Sequence, residues 1–255
     1  MRCFDVRPGS ASKVTGGTSN EYGEGLRDEI GLGDAMCFSP QADLVGGMVI
    51  GVIGIDTLRH QRHRRELALA ALPLLLACHQ IVEAFVWWGL QGNAPADLGR
   101  SAMWVYLFFA FCVLPVFVPA AIMAIEPTPR RRWLMAPFLA VGAAVSFILF
   151  RALLRGPTTA VLAPYHLQYN INLSLGFAVV SLYIVATCGS MLFSGYRHVV
   201  QFGAVNLVAA IILARLATSG FASLWCAWAA IASGAIALHL RYAHHEHRGL
   251  RPSPA

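Results

Sequence analysis

Three polar side chains, two of them able to move protons, interrupt one of the most apolar stretches of the chain: His79, Gln80 and Glu83 lie inside the segment from Leu67 to Gly92. A carboxylate near the middle of a bilayer costs roughly 2.5 to 3.5 kcal/mol, so it is kept where it faces a partner or a water-filled cavity. On a helix, His79 and Glu83 are four residues apart and share one face, which Trp87 continues. A glutamate beside a histidine out of water is a general acid–base pair, with Glu83 as base or metal ligand and His79 as its partner. The same two groups form a protonation switch in a protein that catalyses nothing.

The elements that must position them follow from composition. Of 255 residues 57% are hydrophobic and only 13% charged, against about 25% in a soluble domain. With a mean hydropathy of +0.59, the chain has too few charges to cover a water-facing surface. Seven apolar runs are each long enough to cross a hydrocarbon core of about 30 Å. They are Ala42 to Leu58, Leu67 to Leu90, Ala102 to Ile125, Trp133 to Leu154, Gln168 to Phe193, His198 to Thr218 and Phe221 to Ala243. Each must be helical to satisfy its own backbone, and no alternating pattern suggests a barrel. The fold class predicted is all-α integral membrane, a bundle of seven transmembrane helices.

Arginine placement sets the orientation. Arg59, Arg62, Arg64 and Arg65 follow the first run, Arg130 to Arg132 the third, Arg197 the fifth, and Arg241, Arg248 and Arg251 the seventh. These clusters fall on one side, which puts the N-terminus outside and the C-terminus in the cytoplasm. The net charge of +6 then matches an anionic membrane surface and calls for no nucleic acid. Residues 1–35, rich in Gly, Ser, Thr and acidic residues without an apolar run, read as a disordered extension, with translation expected to begin at Met36. Residues 36–243 form the membrane domain and 244–255 a cytoplasmic tail.

In this topology the polar groups concentrate in the outer half of the membrane. Glu83 has two candidate cationic partners there, Arg215 and Arg151, whose planar guanidinium suits a carboxylate. His166 and Asn170 lie at the outer mouth of the fifth helix, heading a polar stripe with Ser174, Ser181 and Cys188. Tyr106, Trp104, Tyr169 and Asp43 stand at similar height, and Trp87 and Trp88 fall at the outer aromatic belt. The expected ligand-lining set is Arg215, Arg151, His166, Asn170, Tyr106 and Trp87. An interhelical ion pair that only fixes packing accounts for Glu83 equally well.

Several chemistries are excluded or unsupported. The only lysine is Lys13, so no last-helix lysine is present for a retinal Schiff base. No HExxH, P-loop or GxGxxG pattern occurs, and no CxxC or disulfide framework. His244, His245, Glu246 and His247 read as a solvated tail more readily than as a metal tract. Nothing in the sequence specifies a metal or a cofactor.

The run Met36-Cys37-Phe38-Ser39, the basic loop Arg59 to Arg65 with Glu66-Leu67 after it, and the pattern His79-Gln80-x-x-Glu83-x-x-x-Trp87 resemble an uncharacterised family of small bacterial multi-pass membrane proteins. The likeness covers Met36 to about Arg241. It implies a compact seven-helix protein of the bacterial inner membrane and transfers no activity. A comparison with membrane hydrolases of the alkaline ceramidase type, which bind zinc through histidines, fails in the last helix, where their histidine pair at i, i+4 is lacking. Two functions remain open: an enzyme acting on a lipid or other amphiphile in the outer half of the membrane, and a non-catalytic small-ligand or proton-linked sensor or carrier.

Overall fold

The apolar runs between residues 40 and 155 become four long helices, each long and apolar enough to cross a membrane: α1 (Pro40–Arg59), α2 (Leu67–Leu90), α3 (Ala96–Ile125) and α4 (Pro129–Arg155). The computed structural model describes residues 39–61, 64–163, 166–171, 173, 175–216 and, beyond these, 228, 230, 232 and 234, with only the backbone at 214–216. A hairpin follows α4, then α5 (Gly176–Leu192) and α6 (Arg197–Leu216). The expected extension 1–35, the tail 244–255 and most of the seventh run lie outside the described residues. Positions 228, 230, 232 and 234 are helical, and Gly234 faces Ile50 and Ile53 of α1.

Local chemistry explains where the helices start and how they meet. Ser39 caps α1 through its hydroxyl, which accepts from the Ala42 N–H at 3.3 Å, and Pro40 at the first helical position has no N–H to leave orphaned. α1 and α2 then approach closely through small residues. A Cβ at Gly47 would stand 2.9 Å from the Ala77 carbonyl oxygen, and one at Gly54 2.6 Å from the Leu74 nitrogen. The opposite face of α1 exposes Val45, Val49 and Val52, while α4 exposes Trp133, Phe147 and Leu154, and α6 Val205, Val208 and Ile212. Apolar side chains spread over so much outer surface suit lipid and not water, so this is a membrane protein.

α3 carries a π-turn at Phe109–Val113, where the Leu114 N–H reaches back five residues to the Phe109 carbonyl. Next in that register, Pro115 would serve Ala110 but has no N–H. The Tyr183 hydroxyl of α5 donates to the Ala110 carbonyl instead, at 2.9 Å, and the Ser146 hydroxyl of α4 donates to the Cys112 carbonyl at 2.6 Å. Sequence interruptions in one helix thus become anchors for two others. Tyr183→Phe, leaving a buried carbonyl unsatisfied, is expected to lower stability in detergent by about 1–3 kcal/mol, read as a shift in the thermal melting curve.

The fifth predicted run, Gln168 to Phe193, is corrected at its start: Gln168–Asn170 belong to a strand of a hairpin, and the helix begins at Gly176. Strand β1 (Thr159–Leu162) pairs antiparallel with β2 (Leu167–Asn170), Thr159 opposite Asn170 and Leu162 opposite Leu167. Gly156-Pro157 ends α4, and the β-branched Thr159 and Val161, followed by Ala163-Pro164, favour a strand and a turn over a helix. Hydropathy alone merges this hairpin with the helix after it, because Leu167, Ile171 and Leu173 are as apolar as a span. Leu167 is fully buried in a cluster with Val86, Tyr106 and Leu153, which seats the hairpin against α2, α3 and α4.

Candidate functional site

α2 is the most polar of the buried elements. His79, Gln80, Glu83 and Trp87 are all buried, with Glu83 at 0% exposure. Their spacing puts His79, Glu83 and Trp87 on the one face that α2 turns inward, as the four-residue period requires.

From this face a closed circuit of side chains runs through three elements. The His79 ring stacks on Tyr106 of α3 with centroids 3.9 Å apart and planes 13° from parallel. Tyr106 stacks in turn on Tyr169 of β2, at 4.9 Å and 19°. The Tyr169 hydroxyl donates to Glu83 Oε1 at 3.4 Å, a long hydrogen bond that returns the circuit to α2. Phe109, in the π-turn, also packs on His79, 4.9 Å between centroids and tilted by 37°.

A turn above Glu83 the site reaches α1. Asp43 is buried, and its carboxyl group feels the Trp87 indole N–H, although Trp87 Nε1 meets no acceptor at full hydrogen-bonding geometry. Among the described residues His79 Nε2 and Gln80 Oε1 also have no hydrogen-bond partner while fully enclosed. Buried polar atoms are normally satisfied, so His79 Nε2 and Gln80 Oε1 are groups that a further donor or acceptor would complete. What the arrangement can do chemically follows from its groups. Two carboxyl groups, an imidazole and a phenol can pass a proton, and the indole N–H and the Gln80 oxygen can orient a small polar molecule. Among the described residues no three His, Cys, Asp or Glu side chains are arranged to hold a metal ion.

Of the residues expected from sequence, Glu83, His79, Tyr106 and Trp87 come together. Trp87 is buried among helices instead of standing in an interfacial belt, because α1 packs over it and supplies Asp43. Arg151 is exposed and lies over the ring of Phe147 on its own helix, 5.7 Å from the centroid, so it is turned away from Glu83. Asn170 is also exposed, its side-chain Oδ1 accepting from the Gln168 amide Nε2 at 3.1 Å. His166 is half-buried in the hairpin turn, its carbonyl accepting from the Ala163 N–H at 3.0 Å. Neither belongs to a helical stripe with Ser181 and Cys188, since both precede α5. The Arg215 side chain lies outside the described residues. The sequence reading left out of the core set Asp43, Gln80 and Tyr169. Tyr169 had no signal beyond its height, since its approach to Glu83 depends on a hairpin that hydropathy conceals.

A third buried carboxyl group, unanticipated from sequence, lies at the far end of α3. Glu126 is fully buried, and its Oε1 accepts from the Ser194 hydroxyl at 2.7 Å and the Gly195 N–H at 2.8 Å. The signal available was its place between an apolar run and the Pro127-Thr128-Pro129 break.

Comparison of the chain with curated proteins and with solved structures yields no match. One family model does match, over residues 36–250, and it spans Asp43, Glu83, Glu126 and the hairpin. The chain belongs to the family it describes, DUF6629, a family of unknown function.

Proposed function

We propose that this protein is a proton-linked sensor or carrier of a small ligand in the cell membrane, with Glu83 as the switching group. The observation that carries the reading is the Tyr169–Glu83 hydrogen bond, which ties a buried carboxyl group to a hairpin outside the helix that bears it. An ionised carboxylate only accepts hydrogen bonds, whereas a protonated one also donates. A change of protonation at Glu83 therefore changes what Tyr169 can do, and with it the seating of β1 and β2. His79, Tyr106 and Trp87 are proposed as the buried neighbours a ligand would meet beside Glu83, with Arg215 as a candidate counter-charge.

The wider setting is proposed to be a multi-pass seven-helix bundle with its N-terminus outside and C-terminus in the cytoplasm, surrounded by membrane lipid. Six helical rods among the described residues, the helical positions 228, 230, 232 and 234 and the one-sided arginine clusters support it. A second reading, an enzyme acting on a lipid or amphiphile with Glu83 as base and His79 as partner, is favoured by one feature: His79 Nε2 has no partner among the described residues.

The test is pH-difference infrared spectroscopy of the protein in lipid nanodiscs. Wild type should show a carboxylic-acid carbonyl band that appears and disappears with pH, and Glu83→Gln should lose it while remaining folded. A band that survives in Glu83→Gln and vanishes in Asp43→Asn assigns the titration to Asp43 and overturns the reading. For the enzyme reading, the same variant should keep its fold and lose turnover.

A further inference from the structure

We propose that the junction between α3, α4 and the turn before α6 binds a phosphoethanolamine group, the headgroup of a membrane phospholipid. The inference is independent of the Glu83 site and begins at Glu126. Only one of its carboxylate oxygens is accounted for: Oε1 accepts from Ser194 and Gly195, while Oε2 is buried with no hydrogen-bond partner among the described residues. A wholly buried, half-satisfied carboxylate is expensive unless something supplies a donor.

The geometry shows where that donor would come from. A Cβ on Gly195 would stand 3.0 Å from Glu126 Oε2 and 2.9 Å from Arg131 Nη1, so the carboxylate oxygen and the guanidinium flank one point over an exposed glycine. They do not bond each other, since Oε2 has no partner. Arg131 is exposed and forms the outer wall of this point, and a swing of its flexible side chain opens it. The point itself is filled, so it is the swing of Arg131 that admits a ligand, and a negative and a positive group side by side then suit a zwitterion whose ammonium and phosphate are separated by two carbons.

The surroundings favour the phosphate half. Arg130, Arg131 and Arg132 occupy the first turn of α4, where the helix dipole disfavours cations and welcomes anions. Arg132 is already engaged, its Nε donating to the Glu126 carbonyl at 2.9 Å, which leaves Arg130 and Arg131 facing outward. The backbone N–H groups of Arg130 and Arg131, which precede the first bond of the helix at Arg132, add donors for a phosphate. The junction ends two long apolar helices, so it stands at headgroup level whichever way the chain is oriented. The ammonium must carry N–H donors to satisfy Oε2, which selects ethanolamine over the quaternary ammonium of choline.

Native mass spectrometry of the full chain, released from mixed micelles of phosphatidylethanolamine, phosphatidylcholine and phosphatidylglycerol, tests this. Wild type should retain phosphatidylethanolamine about tenfold or more over phosphatidylcholine, the factor expected for one charge-assisted hydrogen bond. Glu126→Gln should erase that preference. Arg131→Ala, an exposed position that spares the fold, should lower retention of every phospholipid while leaving the ethanolamine-to-choline ratio unchanged. Soluble phosphoethanolamine added as a competitor separates the sources: displacement assigns the free headgroup as sufficient, and its failure assigns the intact lipid. Equal retention of the ethanolamine and choline lipids by wild type overturns the proposal, as does an unaltered preference in Glu126→Gln, or Arg131→Ala binding phospholipid like wild type.

Discussion

Valine in place of Gly142 is expected to keep α4 from docking on α3 and to cost about 3 kcal/mol or more of stability. The side chain would have to occupy the position of the Pro115 carbonyl oxygen, with the Pro115 carbonyl carbon only 2.9 Å away. Neither helix can yield. Pro119 has no N–H to offer that carbonyl, so the oxygen is bare on this side, and glycine is what lets the neighbouring helix cover it. The Ser146 bond to Cys112 lies one turn further along the same contact and would be pulled apart with it. Thermal melting in detergent, followed by size-exclusion chromatography, reads the loss. Gly46→Ala supplies the contrast, because nothing lies within 4 Å of a Cβ there. It should leave the protein as stable as wild type or up to about 1 kcal/mol more so, through the better helix propensity of alanine. Equal melting of wild type and Gly142→Val would mean that α3 and α4 do not meet at Pro115.

Tyr169→Phe is expected to uncouple the hairpin from Glu83 without removing the titration itself. In wild type, hydrogen exchange across residues 159–170 should depend on pH in step with the carboxyl band, because the Tyr169 hydroxyl answers to the protonation state of Glu83. In Tyr169→Phe the infrared band should persist while exchange in the hairpin becomes independent of it. Glu83→Gln should flatten both. The ring stack of Tyr106 on position 169 survives the substitution, so the hairpin should stay seated through Leu167 and the aromatic contact. The double variant should then match Glu83→Gln alone in the hairpin, since the two residues act through one bond. A hairpin that follows pH equally in wild type and Tyr169→Phe would remove the switch and leave Glu83 as a packing residue.

Helix-forming runs are legible wherever a span is continuous. Leu67 to Leu90 was read from sequence with the bounds it has in the fold, because twenty-odd apolar residues admit only one backbone in lipid. The inward face of that helix was legible too, since His79, Glu83 and Trp87 recur every four residues and a carboxylate cannot face lipid cheaply. Beyond that the reading was partial. Matching heights placed Asp43, Tyr106 and Tyr169 in the layer of Glu83, but height says nothing of azimuth. Arg151 has the right depth and points outward over Phe147, while Tyr169 has the same depth and points in. Glu126 is not singled out by the sequence, because its burial depends on Ser194 and Gly195, 68 and 69 residues away.

Two features can be read from the chain alone: this is a membrane protein of long helices, and α2 carries ionisable groups on a buried face. Both follow from the cost of taking polar groups out of water, which each segment meets on its own. Which groups meet is a matter of packing. It replaced the start of a predicted helix by a hairpin, set Tyr169 rather than Arg151 beside Glu83, covered Trp87 with Asp43, and closed Glu126 under the turn at Ser194. Those outcomes depend on rotations about helix axes and on contacts between distant segments, where a hundred degrees of turn per residue separates a lipid-facing side chain from a ligand-facing one.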